Sequence, residues 1–213
     1  MESGKAAKRL ILLDVDGVII DSFDLLYRNL SAMIRAKLEK DLSIDEYRAF
    51  FRGNPLQEIL KYIGLRSLLH LHRDDLAKVF TGYESCRVYD GMPDLIKTLA
   101  ARDHVCIVTS SSIDVVKPKF VAEGLDPYVT AYLGSETDMH KDKKIRLAMD
   151  EFGHAPADTW FVTDTSGDIV EAHKTGVHTI GATWGYHPRA WLEDTKPEAL
   201  AQSPSELAKL LLI

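Results

Sequence analysis

The chain has 213 residues, 46% of them hydrophobic and 27% charged, with a formal net charge of −6. That length allows one large domain, or one domain carrying a smaller insertion, and the composition is that of an ordinary soluble globular protein. The charge implies no dominant basic surface and hence no nucleic-acid partner, and no apolar run approaches membrane-spanning length.

Two cysteines, Cys86 and Cys106, are too few for a disulfide framework and fit a reducing compartment. Residues 1–9 are polar and basic and lead into four apolar residues before Asp14, too short a run for a signal-peptide core. A cytoplasmic location is expected.

The first apolar run, Leu10–Leu13, has strand length and no alternation. That is the pattern of a strand covered on both faces in a parallel sheet. Residues 22–85 then read as consecutive helices. Ser43 and Glu46 have capping-box spacing, Asn54 and Pro55 read as an N-cap with proline at the first helical position, and Gly64 as the stop. Beyond them the strand-like runs at 105–108, 131–133, 160–162 and 178–183 alternate with helical stretches at 94–102, 113–123, 142–152 and 167–175. Pro118 should start, kink or break the second of these. A last helix is expected after Ser203 and Glu206, filled by Leu207, Leu210 and Leu211. Alternating strands and helices imply an α/β fold, a doubly wound parallel sheet with right-handed crossovers. The helical stretch is too long for one crossover. It reads as an inserted α-helical cap at 21–87, with 1–20 and 88–213 forming the core and hinges near 19–22 and 89–92.

Three strand-like runs each end in polar residues: Asp14-Val-Asp16-Gly17, Thr109 followed by Ser110, Ser111 and Ser112, and Thr163-Asp164. Ligands of open α/β sheets bind outside the carboxyl ends of the strands, so the three tips converge on one crevice. Asp14 and Asp16, two apart in an extended segment, face the same side. Two such carboxylates can divide nucleophilic attack from proton transfer. Asp164 and Asp168, four apart at a helix start, can share a face. Up to four carboxylates in one place call for a cation, and an all-oxygen site shared with phosphate and water suits Mg²⁺. A bare Asp-x-Asp is commonly a solvated turn, Asp168 could serve only the helix dipole, and any of Lys141, Lys143 and Lys144 could be a solvated helix end. Thr109 or its serine neighbours could simply cap a helix.

Together these residues resemble the haloacid-dehalogenase superfamily. Asp14-Val-Asp-Gly-Val18 with Asp21-Ser22 resembles its first motif, Ile107-Val-Thr109 the second, Lys141 (by its distance to Gly153) the third, and Asp164 to Asp168 with Glu171 and Gly176-Val177 the fourth. Thr183-Trp-Gly-Tyr186 and Arg52-Gly-Asn-Pro55 are similar to phosphoglycolate-phosphatase-like members. Thr163 departs from the family, which commonly has glycine there.

The resemblance implies a Rossmann-like core and hydrolysis of a small phosphorylated metabolite through an aspartyl-phosphate on Asp14. Asp16 would be the acid and base, Thr109, Ser110 and Lys141 the phosphate ligands, and Arg52 a cap contact to substrate. Mg²⁺ would sit among Asp14, Asp16 (through its carbonyl), Asp164 and Asp168. Two other readings stay open: a sugar-phosphate mutase of the β-phosphoglucomutase type, which would release isomerised sugar phosphate, and a phospho-aspartate signalling module, which would not turn over. His70 and His72 read as cap-helix residues rather than a metal pair. The sequence is silent on oligomeric state.

Overall fold

The computed structural model describes residues 8–64 and 73–212. His70 and His72 therefore lie outside the described residues. Six parallel strands form one sheet in the order β5-β4-β1-β6-β7-β8: β1 Leu10–Leu13, β4 His104–Val108, β5 Ala131–Leu133, β6 Thr159–Thr163, β7 His178–Ala182 and β8 Ala199–Ala201. A separate antiparallel pair, β2 Ile20–Asp21 with β3 Arg87–Val88, brackets the helical stretch. That stretch contains α1 Phe23–Leu38, α2 Ile44–Phe50, α3 Pro55–Ile63 and α4 Arg73–Ala77. The remaining helices are α5 Met92–Ala100, α6 Ile113–Ala122, α7 Lys141–Phe152, α8 Ser166–His173, α9 Arg189–Glu193 and α10 Pro204–Leu211.

β1 shows why its sequence lacks alternation. Ile11 and Leu13 enter one core with Met92, Ile96, Leu207 and Leu211, while Leu10 and Leu12 enter the other with Ile145, Ala148 and Ala172. All four are 0% exposed, so each side chain contributes on the order of 1.5–3 kcal/mol of burial. Cys106 lies in the same layer as Leu10 and Leu12, and both cysteines are free and buried.

The expected caps form. Ser43 and Glu46 make a reciprocal capping box, and the Asn54 side chain accepts from the Gln57 amide ahead of Pro55. One expectation needs correcting, and one strand was not anticipated. Residues 113–122 form one unbroken helix through Pro118, which is exposed, so water can reach the carbonyl that its missing N–H leaves without a partner. The edge strand β8 gave no sequence signal, because Ala-Leu-Ala favours helix and only its pairing with β7 makes it extended.

Registration fixes the site. Leu13 pairs with Ile107 on one side and Val162 on the other. Asp14, Thr109 and Asp164 consequently emerge from three neighbouring strands at nearly one level, with β1 in the middle.

Candidate active site

Asp14 is 5% exposed and held from several directions. Its Oδ1 accepts from the Val15 amide at 2.8 Å and lies 2.8 Å from the Lys141 ammonium. Its Oδ2 accepts from the Thr163 hydroxyl at 3.1 Å. Lys141 also reaches Asp168 Oδ2 at 3.1 Å and donates to the Val108 carbonyl at 2.9 Å. The ammonium thus ties together β1, the end of β4 and the start of α8. Glu171 fixes the start of α7, its carboxylate accepting from the Lys141 backbone amide and lying 3.1 Å from His140 Nδ1. His140, Asp142 and Glu171 could also gather a cation, but Glu171 already serves this helix N-terminus.

Thr163 turns out to be a bridge. Its hydroxyl lies 3.1 Å from both Asp14 Oδ2 and Asp168 Oδ2. A hydroxyl has one proton, so it donates to one carboxylate at a time. Glycine could make neither contact.

Asp164 is packed against backbone. Its Oδ2 accepts from the Tyr186 amide at 2.6 Å, and its buried Oδ1 has no hydrogen-bond partner among the described residues. A Cβ on Gly17, whose φ is +78°, would lie 1.9 Å from Asp164 Oδ2, and one on Gly185 would lie 2.3 Å from it. Gly17 is therefore required both by conformation and by space.

Asp16 points elsewhere. Its Oδ1 accepts from Ser22 Oγ at 2.7 Å and Tyr83 Oη at 2.8 Å, and its Oδ2 from Ser111 Oγ at 2.7 Å. Ser22 Oγ continues to Tyr186 Oη at 3.0 Å. Each hydroxyl can donate to a carboxylate or accept from a carboxylic acid, so the cradle suits a group that gains and loses a proton. Thr109 Oγ1 accepts from the Ser111 amide at 3.0 Å, leaving its own proton for a further acceptor.

Electrostatics follow from this crowding. Burial, with the neighbouring Asp168 charge, pushes the Asp14 carboxyl up to about 7, although Lys141 pulls the other way. Burial and Asp14 push Asp164 well above the usual carboxylate range. Burial acts on Asp168 in the same sense, but Lys141 and its hydrogen bonds outweigh it and hold Asp168 low. Burial would lower Lys141, yet Asp14 and Asp168 hold it above the ordinary lysine value. Lys144, which donates to the carbonyls of Thr109 (2.6 Å) and Gly134 (3.3 Å), is brought down to about 8 by burial and by Lys141.

The sequence-read residues Asp14, Thr109, Lys141, Asp164 and Asp168 thus meet at the sheet tip, with Asp16 beside them. Exposed Ser110 lines the cavity above. Arg52 does not point there: its guanidinium lies 3.7 Å from the Trp191 ring centroid. Ser22, Tyr83, His187 and the bridging position of Thr163 were not singled out from the sequence, and Lys144 was one of three lysines left as a candidate or a solvated helix end. Only Ser22 and Thr163 fell within quoted motifs.

The match to the haloacid dehalogenase-like hydrolase family model runs over residues 11–182. The chain belongs to that family. Over 219 residues it is 27% identical to a 5′-nucleotidase from Pseudomonas aeruginosa, covering 94% of each chain. It is 26% identical to a phosphoglycolate phosphatase from Aquifex aeolicus over 220 residues, covering 95% of this chain and 96% of that one. A solved haloacid dehalogenase-like family hydrolase from Streptococcus pneumoniae shares the fold with a TM-score of 0.73 at 19% identity, covering 95% of this chain and 98% of that one. The matched residues of this family member span β1 to β7 and include the carboxyls gathered at the tip of β1. Among the described residues no helix is long and apolar enough to cross a membrane.

Proposed function

We propose that this family member is a Mg²⁺-dependent phosphatase that hydrolyses a small-molecule phosphate monoester through an aspartyl-phosphate. The observation that carries the reading is Asp14 at the end of the central strand, 2.8 Å from Lys141 and two residues before an Asp16 cradled by hydroxyls.

In the first step an Asp14 carboxylate oxygen attacks phosphorus. The ester P–O bond breaks, and Asp16 gives its proton to the departing alkoxide. In the second step water attacks the phosphorus of the acyl phosphate, Asp16 takes the water's proton, and Asp14 is regenerated. Thr109, Ser110 and Lys141 hold the phosphoryl oxygens. Positioning and charge complementarity supply most of the acceleration.

The residues fit a hard divalent ion. Three carboxyls, Asp14, Asp164 and Asp168, are buried at this end of the sheet, the Lys141 ammonium pairs with Asp14 and Asp168, and a buried Asp164 oxygen has no hydrogen-bond partner among the described residues. Asp14, Asp164 and the Asp16 backbone carbonyl would hold Mg²⁺, with Asp168 ligating it or orienting its waters. Bound there, the ion would neutralise charge on the phosphoryl oxygens.

Residues 21–87 act in this reading as a cap over the 1–20 and 88–213 core, excluding water from the acyl phosphate. Asp14→Asn should lower kcat on an aryl phosphate by at least about 10³-fold, with an unchanged circular-dichroism spectrum. Full turnover in that variant, or in excess EDTA, would overturn the assignment.

A further inference from the structure

Resting on the phosphatase reading, we infer that the alcohol released from the substrate is uncharged and mainly apolar, either branched aliphatic or aromatic, rather than an acid. The cavity above the catalytic carboxylates has a volume of about 300 Å³ and reaches Asp14, Asp16, Asp164 and Asp168 at its floor. Its walls above that floor are mainly hydrocarbon, with Leu30, Phe51, Leu56, Ile59, Val79 and Phe80 among them and polar groups such as Asn54, Ser112 and Asp138 in the minority. An alcohol bearing a carboxylate or a second phosphate would need a cation in those walls, because burying an uncompensated charge is costly.

Among the described residues the neighbouring helices do not supply one. Lys37 is paired to Asp75 at 2.9 Å and Lys61 to Glu58 at 2.6 Å. Arg48 donates to the Tyr186 carbonyl at 3.1 Å, and Arg52 stacks on Trp191. Lys144 is the only cation lining the cavity among the described residues, and its ammonium is already donated to two backbone carbonyls at the sheet end. Asp138, also in the lining, is paired to Lys143 at 3.4 Å and offers an acidic leaving group no positive partner.

The test compares kcat/KM of the full chain, with Mg²⁺, on methyl, butyl, hexyl and benzyl phosphates, 2-phosphoglycolate and inorganic pyrophosphate. The primary alkyl alcohols have similar acidity, so differences among their esters report the pocket rather than the leaving group. Each methylene that enters the cavity should raise kcat/KM about 4-fold, with benzyl phosphate at least about 10²-fold above methyl phosphate. Leu56→Lys, at a partly exposed wall position, should lower the butyl-to-methyl ratio about 10-fold. A flat alkyl series, or phosphoglycolate or pyrophosphate exceeding butyl phosphate, would overturn the inference while leaving the phosphatase reading intact. If no ester is hydrolysed, equilibrium binding of methyl-, butyl- and phenylphosphonate decides separately. Affinity that rises with apolar size upholds the pocket and removes the phosphatase reading; equal or absent binding overturns the pocket too.

Discussion

The two walls of the cavity use opposite physics. On the sheet side Asp14, Lys141, Thr163 and Asp168 form a buried network in which each polar group is set by another from a different element. On the helical side leucine, isoleucine, valine and phenylalanine face the same space, and the cations nearby are bound to acids, carbonyls or an indole. The difference teaches where selectivity resides. In the proposed phosphatase reading the charged wall holds the phosphoryl group, and the apolar wall is left to recognise what is attached to it.

Substitutions in each wall sharpen this contrast, and the largest effect belongs to the charged side. Lys141→Met leaves Asp14 and Asp168 buried without their ammonium, and should cost about 3–5 kcal/mol in urea unfolding as well as turnover. A loss under 1 kcal/mol would mean that the network is not electrostatically coupled.

Next comes the seam between the walls. His187 Nδ1 accepts from the Ser166 amide at 2.9 Å, and its Nε2 donates to the Arg48 carbonyl at 2.9 Å, so the ring is neutral and joins the start of α8 to α2. Burial depresses its pKa from 6.5 to about 4. Below pH 6.5 the unfolded chain takes up a proton that the buried ring refuses until about pH 4. Stability should therefore fall as pH drops through that window and level off beneath it, by up to about 3 kcal/mol. His187→Gln, which retains an acceptor and a donor, should flatten that part of the profile; an unchanged slope would exclude the histidine as its source.

Thr163→Val removes the hydroxyl between Asp14 and Asp168, and should cost about 1.5–3 kcal/mol by the same unfolding measurement. The smallest expected change is on the helical side. Arg52→Ala loses one exposed cation–π contact, about 0.5–1 kcal/mol, and should leave the KM for butyl phosphate within twofold. A tenfold rise in KM would return Arg52 to the substrate.

The charged wall was far more legible in the sequence than the apolar one. Asp14, Thr109 and Asp164 follow buried strands directly, so their position needs only strand register and the rule that strand tips form the crevice, while Asp168 needs the start of α8 as well. Lys141 needed its spacing to Gly153, since periodicity alone does not separate it from Lys144, which is equally buried one turn on. Tyr83 was invisible because it reaches Asp16 across 67 positions, and a long-range hydrogen bond leaves no local pattern. Arg52 lay in a recognisable motif, but a side chain's direction depends on tertiary neighbours, here Trp191 of α9. The ladders of β2 and β3 are two residues long, too short to stand out from the turns around them.

That short ladder has a mechanical consequence. The chain departs from the sheet region and comes back to it along two segments bonded to each other, Ile20 against Val88 and Asp21 against Arg87. Neither can swing without carrying its partner. Any displacement of the helical section between them relative to the sheet would therefore load both segments at once, as a two-ply axle rather than a single strap.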